Sequence, residues 1–203
     1  IDPNADPLEA NIEQAAGFQK AFDDFAADCA KQPKCPLGND PTKAVDVYHD
    51  LVNPLVGAPA ATVDPRRLSY SDAMTGTIMA LYSPALWQHL SAGLTELSKG
   101  HGDTLLKLAD AYMNRDGKGN YTNASDALLA INCVDNQPIT DRVKAIEQDR
   151  RLRQVAPFMS YGQFTGDAPL DACAFWPVAP TSKPHQVSAP GLPPVLVVST
   201  TND

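Results

Sequence analysis

The sequence predicts a mainly α-helical domain that ends in one β-strand. Over roughly the first 155 residues, apolar side chains recur every three or four positions, which is the period of a helix with one buried face. Ser, Thr and Asp caps and prolines at first helical positions mark the predicted helix starts. This pattern stops at Pro157, and the next regular feature is an apolar run at 194–199, which is typical of a strand.

Seven helices are predicted from these signals. The first is the clearest, because Asp6 and Pro7 mark its start, and Pro33 and Pro36 prevent its continuation far beyond Ala30. The predicted spans are 8–30, 42–52, 71–82, 85–97, 104–113, 124–131 and 141–155. The predicted caps of the later helices are Ser71, Ser83, Asp103 and Thr140.

The run 194–199 predicts a strand in the middle of a covered, parallel sheet, because its apolar residues leave no polar face. A single buried strand cannot form a sheet, and no second run of this kind occurs. The sequence therefore predicts that the partner strands lie outside this chain. Asp203 follows the strand directly, and functional residues of open α/β sheets lie just beyond strand ends. A simple turn aspartate is the alternative interpretation of Asp203.

Composition excludes several classes of function. A net charge of −8 and a pI near 4.8 argue against a nucleic-acid backbone as partner. No apolar run is long enough to span a membrane as a helix. We therefore expect a globular protein of one large domain or two small ones.

The four cysteines favour disulfides and an oxidising compartment over buried free thiols. None belongs to a C-x-x-C pair or has a histidine within five residues, so a zinc site is not expected. No cofactor is expected either. Four cysteines allow three connectivities. Because Cys29 and Cys35 flank a short turn at a helix end, their pairing is favoured, and Cys133 and Cys173 then pair with each other.

A catalytic serine is not evident within the chain. Ser160 lies in Phe158-Met159-Ser160-Tyr161-Gly162, where phenylalanine replaces the first glycine of a G-x-S-x-G nucleophile turn. Ser160 is therefore predicted to be an ordinary loop serine. None of the four histidines is selected as a catalytic base by its spacing.

Several motifs resemble the tripeptidyl-aminopeptidase-like α/β-hydrolases. The run from Val195 to Asp203 resembles the acid-bearing strand of that family. Ala130-Ile131-Asn132-Cys133-Val134-Asp135 and Cys173-Ala174-Phe175-Trp176-Pro177 resemble two motifs of its helical lid. The start of the lid is resembled by Ile1-Asp2-Pro3, Ala15-Ala16-Gly17-Phe18 and Phe25-Ala26-Ala27-Asp28-Cys29. The resemblance covers the whole chain and is greatest to the secreted, cell-envelope-associated serine proteases of mycobacteria.

The resemblance implies a larger secreted enzyme that hydrolyses peptide bonds with a Ser-Asp-His triad. Ester bonds are the alternative substrate. Residues 1–180 would be its helical lid, an insertion in the α/β-hydrolase core, and residues 181–203 would be a fragment of that core. Asp203 would be the triad acid, whereas the serine and the histidine would lie outside this chain. Asp135 would face the α-amine of a peptide substrate, although a helix-end turn aspartate is the simpler interpretation. The chain alone is then expected to be inactive.

A second function remains open, that of a non-catalytic helical binding domain held together by disulfides. A histidine beyond Asp203, or a G-x-S-x-G motif before Ile1, would favour the hydrolase.

Overall fold

The computed structural model describes residues 7–181, 188–196 and 198. These residues form a helical protein, and their only β-type pairings are isolated bridges such as Ala60 with Leu68. The α-helices are α1 (Pro7–Cys29), α2 (Ala44–Val52), α3 (Tyr70–Leu81), α4 (Trp87–Leu97), α5 (Asp103–Tyr112), α6 (Ala124–Asp135) and α7 (Arg142–Val155). Short 3-10 helices are Pro41–Lys43, Asn53–Val56, Pro84–Leu86, Pro157–Met159 and Ala172–Phe175. The predicted mainly α-helical class is confirmed.

The core is built around the apolar stripe of α1. Phe22 stacks on Phe158 with ring centroids 4.7 Å apart, and it meets Tyr48 edge-on at 5.3 Å. All three side chains are fully buried. Phe158 follows α7, so this contact brings the segment after α7 back onto α1 and α2.

One buried hydrogen-bond chain crosses this core. The Tyr48 hydroxyl donates to Thr77 Oγ1 at 2.9 Å, and the Thr77 hydroxyl donates to the carbonyl of Ala73, also at 2.9 Å. Burial raises the pKa of Tyr48, which keeps its hydroxyl protonated as the donor. The chain satisfies polar atoms that would otherwise be costly inside an apolar core.

Helix α3 packs closely on α5 because Gly76 has no side chain. A Cβ at position 76 would lie 2.4 Å from the carbonyl oxygen of Leu105. Real Cβ atoms do not approach that closely, so only glycine permits this spacing of the two backbones.

Three predicted caps were wrong by one or two residues. At α5 the cap is Gly102, because Asp103 is already the first residue of the helix. Helix α3 is capped by Ser69, not Ser71, because only Ser69 has an acid three residues ahead. Asp72 N donates to Ser69 Oγ, and Asp72 Oδ2 accepts from Ser69 N, each at 3.1 Å. At α7, Asp141 rather than Thr140 is the cap, and its carboxylate accepts from Val143 N at 2.8 Å.

Helix α6 differs from the rest, since Cys133 is its only buried residue. Its main packing partner is the 3-10 helix Ala172–Phe175. It extends to Asp135, four residues beyond the predicted end.

The predicted strand at 194–199 lies partly outside the described residues. Pro194, Val195, Leu196 and Val198 form no regular structure, and the last three are 75%, 88% and 83% exposed. The described part of the predicted strand is therefore neither paired nor buried. No helix in the part that the structure describes is both long and apolar enough to cross a membrane.

Candidate active-site elements

The predicted triad acid, Asp203, lies outside the described residues, so its surroundings stay a prediction. The structure does position the other predicted site residues, which are Asp135 and the four cysteines.

Asp135 is the last residue of α6 and is exposed. A helix C-terminus carries partial negative charge from its unpaired carbonyls, so a carboxylate there is disfavoured unless a cation is near. Among the described residues, no ion pair includes Asp135. Asp135 therefore presents an uncompensated negative charge to whatever approaches the end of α6.

A disulfide fixes the opposite side of α6. Cys133 is bonded to Cys173, with Cα atoms 4.9 Å apart, and Cys133 is 1% exposed. Asp171 caps the 3-10 helix that carries Cys173, because its Oδ1 accepts from Ala174 N at 3.0 Å. The same carboxylate accepts from Ile139 N at 3.4 Å. These bonds tie both ends of the stretch from the end of α6 to Cys173.

The segment after Cys173 returns to α6 as well. The backbone amide of Thr181 donates to the carbonyl of Val134 at 2.9 Å. The chain thus leaves the helical part beside Asp135 on its way to residues 188–198.

The second disulfide closes the end of α1. Cys29 and Cys35 are bonded, with Cα atoms 5.2 Å apart. Asn39 Nδ2 holds the same turn by donating to the carbonyls of Ala30 and Gln32. Cys29 is buried against the bundle, and its Sγ lies 3.8 Å from Ser91 Oγ. This bond belongs to the core rather than to the α6 region.

The described residues assemble no catalytic triad. Among their histidines, only His49 forms a ring hydrogen bond, and its partner is the carbonyl of Phe158 at 3.2 Å. Ser160 follows the 3-10 helix Pro157–Met159, and its amide donates to the carbonyl of Pro157. Nor do the described residues contain a group of three acidic, histidine or cysteine side chains suited to a metal ion.

A network of partly buried charged side chains was not predicted from the sequence. Arg66 binds Asp64 and Asp110, each through two hydrogen bonds of 2.8 to 3.0 Å. Arg115 reaches the same two carboxylates and lies over the ring of Tyr121, 5.7 Å from its centroid. The network was missed because its charged members are distant in sequence, as in the pair Arg66 and Asp110, which are 44 residues apart.

These contacts shift the titration of the acids. Hydrogen bonds from Arg66 lower the pKa of Asp64 to about 2 and also lower the pKa of Asp110. The network borders an open groove of about 720 Å³. Because each carboxylate is already paired with a guanidinium, the network fits a structural cross-link better than general acid–base catalysis.

The comparisons with known proteins point to one hydrolase family. Residues 156–203 match the family model described as TAP-like protein. This segment contains Cys173, Thr181 and the predicted acid, Asp203.

Full-length relatives extend the similarity over the rest of the chain. The chain is 66% identical over all of its length to "Serine protease Hip1" of Mycobacterium tuberculosis, of which it covers 40%. It is 55% identical to "Carboxylesterase B" of the same species, of which it covers 39%. A more distant relative is "Putative hydrolase YuaR" of Escherichia coli, at 28% identity over 88% of the chain and 35% of that protein. The chain thus spans about two fifths of the length of these relatives.

Proposed function

We propose that this chain belongs to the TAP-like α/β-hydrolases and is the lid and the acid-bearing segment of a serine peptidase. Residues 1–180 are the helical lid, and residues 181–203 are part of the hydrolase core. The observation that carries this proposal is the 66% identity, over the whole chain, to a relative named a serine protease. The remaining core, with the serine and the histidine, lies outside this chain.

Asp203 is the triad acid in this proposal. It accepts a hydrogen bond from the histidine, holds that ring in the tautomer which can take the serine proton, and stabilises the imidazolium that forms. Its position after an apolar run supports the role, because an acid at a strand end can remain ionised near a buried sheet.

Asp135 binds the α-ammonium of the substrate in this proposal. Two features support the role, namely its unpaired charge at a helix C-terminus and its place beside the segment that leads to Asp203. A carboxylate there selects peptides with a free amino terminus and so restricts the enzyme to chain ends.

The protein is secreted or associated with the cell envelope in this proposal. The two disulfides support that location, since such bonds persist in oxidising compartments. The disulfides staple the lid at the end of α1 and at the end of α6.

Two other functions are tested by the same experiment. An ester substrate is favoured by the relative named a carboxylesterase. A non-catalytic helical binding domain held together by the two disulfides is the other alternative.

The experiment uses the longer protein of which this chain is proposed to be a part, called the parent protein below. It labels that protein with a fluorophosphonate probe and measures hydrolysis of a peptide amide and of a p-nitrophenyl ester. We expect labelling of one serine outside this chain and turnover of the peptide. Turnover of the ester alone supports the esterase, and no labelling at all supports the binding domain. The chain 1–203 serves as the negative control, because it lacks nucleophile and base in the proposal.

A further inference from the structure

One face of α6 is apolar and uncovered. Leu128 and Ile131 are 59% and 54% exposed, and Ala124 and Ala127 beside them are exposed too. These positions are spaced by three and four residues, so they form a single stripe along the helix. Asp135 continues that stripe at its C-terminal end. Cys133, which carries the disulfide, lies on the opposite side.

Helix α5, by contrast, buries its leucines. Leu105, Leu106 and Leu108 of α5 are all at most 8% exposed. The apolar face of α6 is therefore not explained by the packing of the helical bundle, which α6 meets mainly through the 3-10 helix Ala172–Phe175. A contiguous exposed apolar stripe is typical of an interface.

Helix α6 is firmly attached to the rest of the protein, although little of its surface is buried. The disulfide to Cys173 fixes one side of the helix, and the hydrogen bond from Thr181 fixes its C-terminal end. Rigid attachment of an exposed apolar helix suits a preformed docking surface, because no ordering cost is added when a partner binds.

Two observations indicate what covers the stripe on α6, namely the length of the relatives and the path of the chain after α6. The relatives are about two and a half times as long as this chain, so most of such a protein lies outside it. The route to the acid-bearing segment leaves directly from α6 at Thr181. Whatever follows in the parent protein is thus tethered next to this stripe, at a high effective concentration.

We propose that the stripe Ala124, Ala127, Leu128 and Ile131 of α6 is the surface on which the helical domain packs against the hydrolase core of its own polypeptide. This inference rests on the proposed function. It adds that α6, rather than another helix of the bundle, makes the apolar contact with the core. Asp135 then lies at the border of that contact, where a cleft between lid and core opens.

The test uses thiol accessibility in the parent protein. Leu128→Cys and Ile131→Cys are made singly, with Ser98→Cys as the control at an exposed helix end on α4. For each variant, the rate of maleimide labelling in the native state is divided by the rate in denaturant without reductant. We expect roughly tenfold or greater protection at 128 and 131 and little protection at 98, because a buried thiol reacts slowly.

Native labelling of positions 128 and 131 within about twofold of the denatured rate would overturn the proposal. Protection that appears only when a peptide substrate is added would also overturn it, since the stripe would then face substrate. A second measurement avoids engineered thiols altogether. Amide exchange of α6 in the unmodified parent should be slower than in the chain 1–203, and equal rates would count against docking.

Failure of this inference is separable from failure of the proposed function. A parent that reacts with the fluorophosphonate but leaves both thiols open loses only the docking surface. A parent that protects both thiols but never reacts with the probe loses only the serine-hydrolase assignment.

Discussion

The amide of Thr181 donates a hydrogen bond to the carbonyl of Val134, 2.9 Å away, in the last turn of α6. The last four carbonyls of a helix have no partner within the helix. A backbone amide from another segment that donates to one of them therefore stabilises that end. Thr181 therefore joins two parts of the chain that the proposal assigns to different units, the lid and the core. It also sets the starting point of the route to Asp203.

Loss of the disulfide between Cys133 and Cys173 should loosen α6 without unfolding the bundle. The bond spans 40 residues, and closure of such a loop contributes about 4 kcal/mol in the chain-entropy model. In the chain 1–203, the double change Cys133→Ser and Cys173→Ser should speed amide exchange in α6 by roughly tenfold or more, with α3 unaffected.

The matched control is removal of the other disulfide. Cys29→Ser with Cys35→Ser opens a loop of only 6 residues, worth about 2 kcal/mol in the same model, but it does so at the buried end of α1. That pair should lower the unfolding temperature of the whole bundle. Equal exchange of α6 in both double variants would contradict this assignment, and peptide mapping without reductant checks both bonds.

Gly76→Ala should destabilise the protein although alanine favours helices. The new Cβ would meet the Leu105 carbonyl at 2.4 Å, so α3 and α5 would have to separate, at a cost of about 1–3 kcal/mol. Gly17→Ala is the matched control in α1, where nothing lies within 4 Å of the new atom. It should stabilise by roughly 0.5–1 kcal/mol. Urea unfolding measures both, and a stabilising Gly76→Ala would show that the helices can move apart freely.

The helices were predictable because their signals are local. In α1, the apolar stripe and the proline at Pro7 lie within one segment, and the structure has the helix at Pro7–Cys29. Helix α6 was predicted four residues too short, because Asn132 and Asp135 are weak helix formers. Contacts distant in sequence, the disulfide to Cys173 and the bond from Thr181, hold that last turn.

The charge network shows the limit of sequence reasoning more plainly. Nothing near Arg66 in sequence indicates Asp110, since the pair forms only when α5 packs beside the loop before α3. The exposed stripe of α6 differs from the charge network, because its three- and four-residue spacing is visible in the sequence. Its exposure is not, because it depends on which faces the bundle covers. Asp203 lies outside the described residues, and its prediction as the triad acid depended on the family resemblance.

The Arg66 network should stabilise the fold near neutral pH and lose that contribution in strong acid. Hydrogen bonds from Arg66 lower the pKa of Asp64 from 3.8 to about 2, so the folded state binds the proton less readily than the unfolded state. This contribution is fully present above about pH 4 and is lost as the pH falls through 2. Carboxyl NMR titration should show the low pKa of Asp64, and Arg66→Gln should return it toward 3.8.

Arg67→Gln provides the control for that titration. Arg67 is the neighbour of Arg66 in sequence, but its guanidinium donates to the carbonyl of Pro59 instead. We expect the pKa of Asp64 to be unchanged in this variant. An equal rise in both variants would mean that general charge, and not the hydrogen bonds of Arg66, lowers the pKa.

Asp203→Asn in the parent protein should abolish most catalysis while folding is retained. Loss of the triad acid leaves the histidine in the wrong tautomer, so kcat should fall by roughly three to four orders of magnitude. Ester and peptide turnover both report this loss, and the unfolding temperature checks the fold. A variant that keeps more than about a tenth of kcat/KM loses under ~1.4 kcal/mol of transition-state stabilisation, which would make Asp203 a turn residue.

Asp135→Asn should raise KM for peptides with a free amino terminus and leave other substrates unchanged. A hydrogen bond to a charged group contributes about 1.5–3 kcal/mol, so KM should rise by roughly tenfold or more. An N-acetylated peptide or a p-nitrophenyl ester presents no ammonium, and its KM should stay within about twofold of wild type by the same reasoning.

Asp126→Asn, an exposed change at the other end of α6, is the matched control. Because a carboxylate at a helix C-terminus is disfavoured, the change should not lower the unfolding temperature. An equal rise in KM for blocked and free peptides would mean that Asp135 shapes the cleft and does not bind the amine.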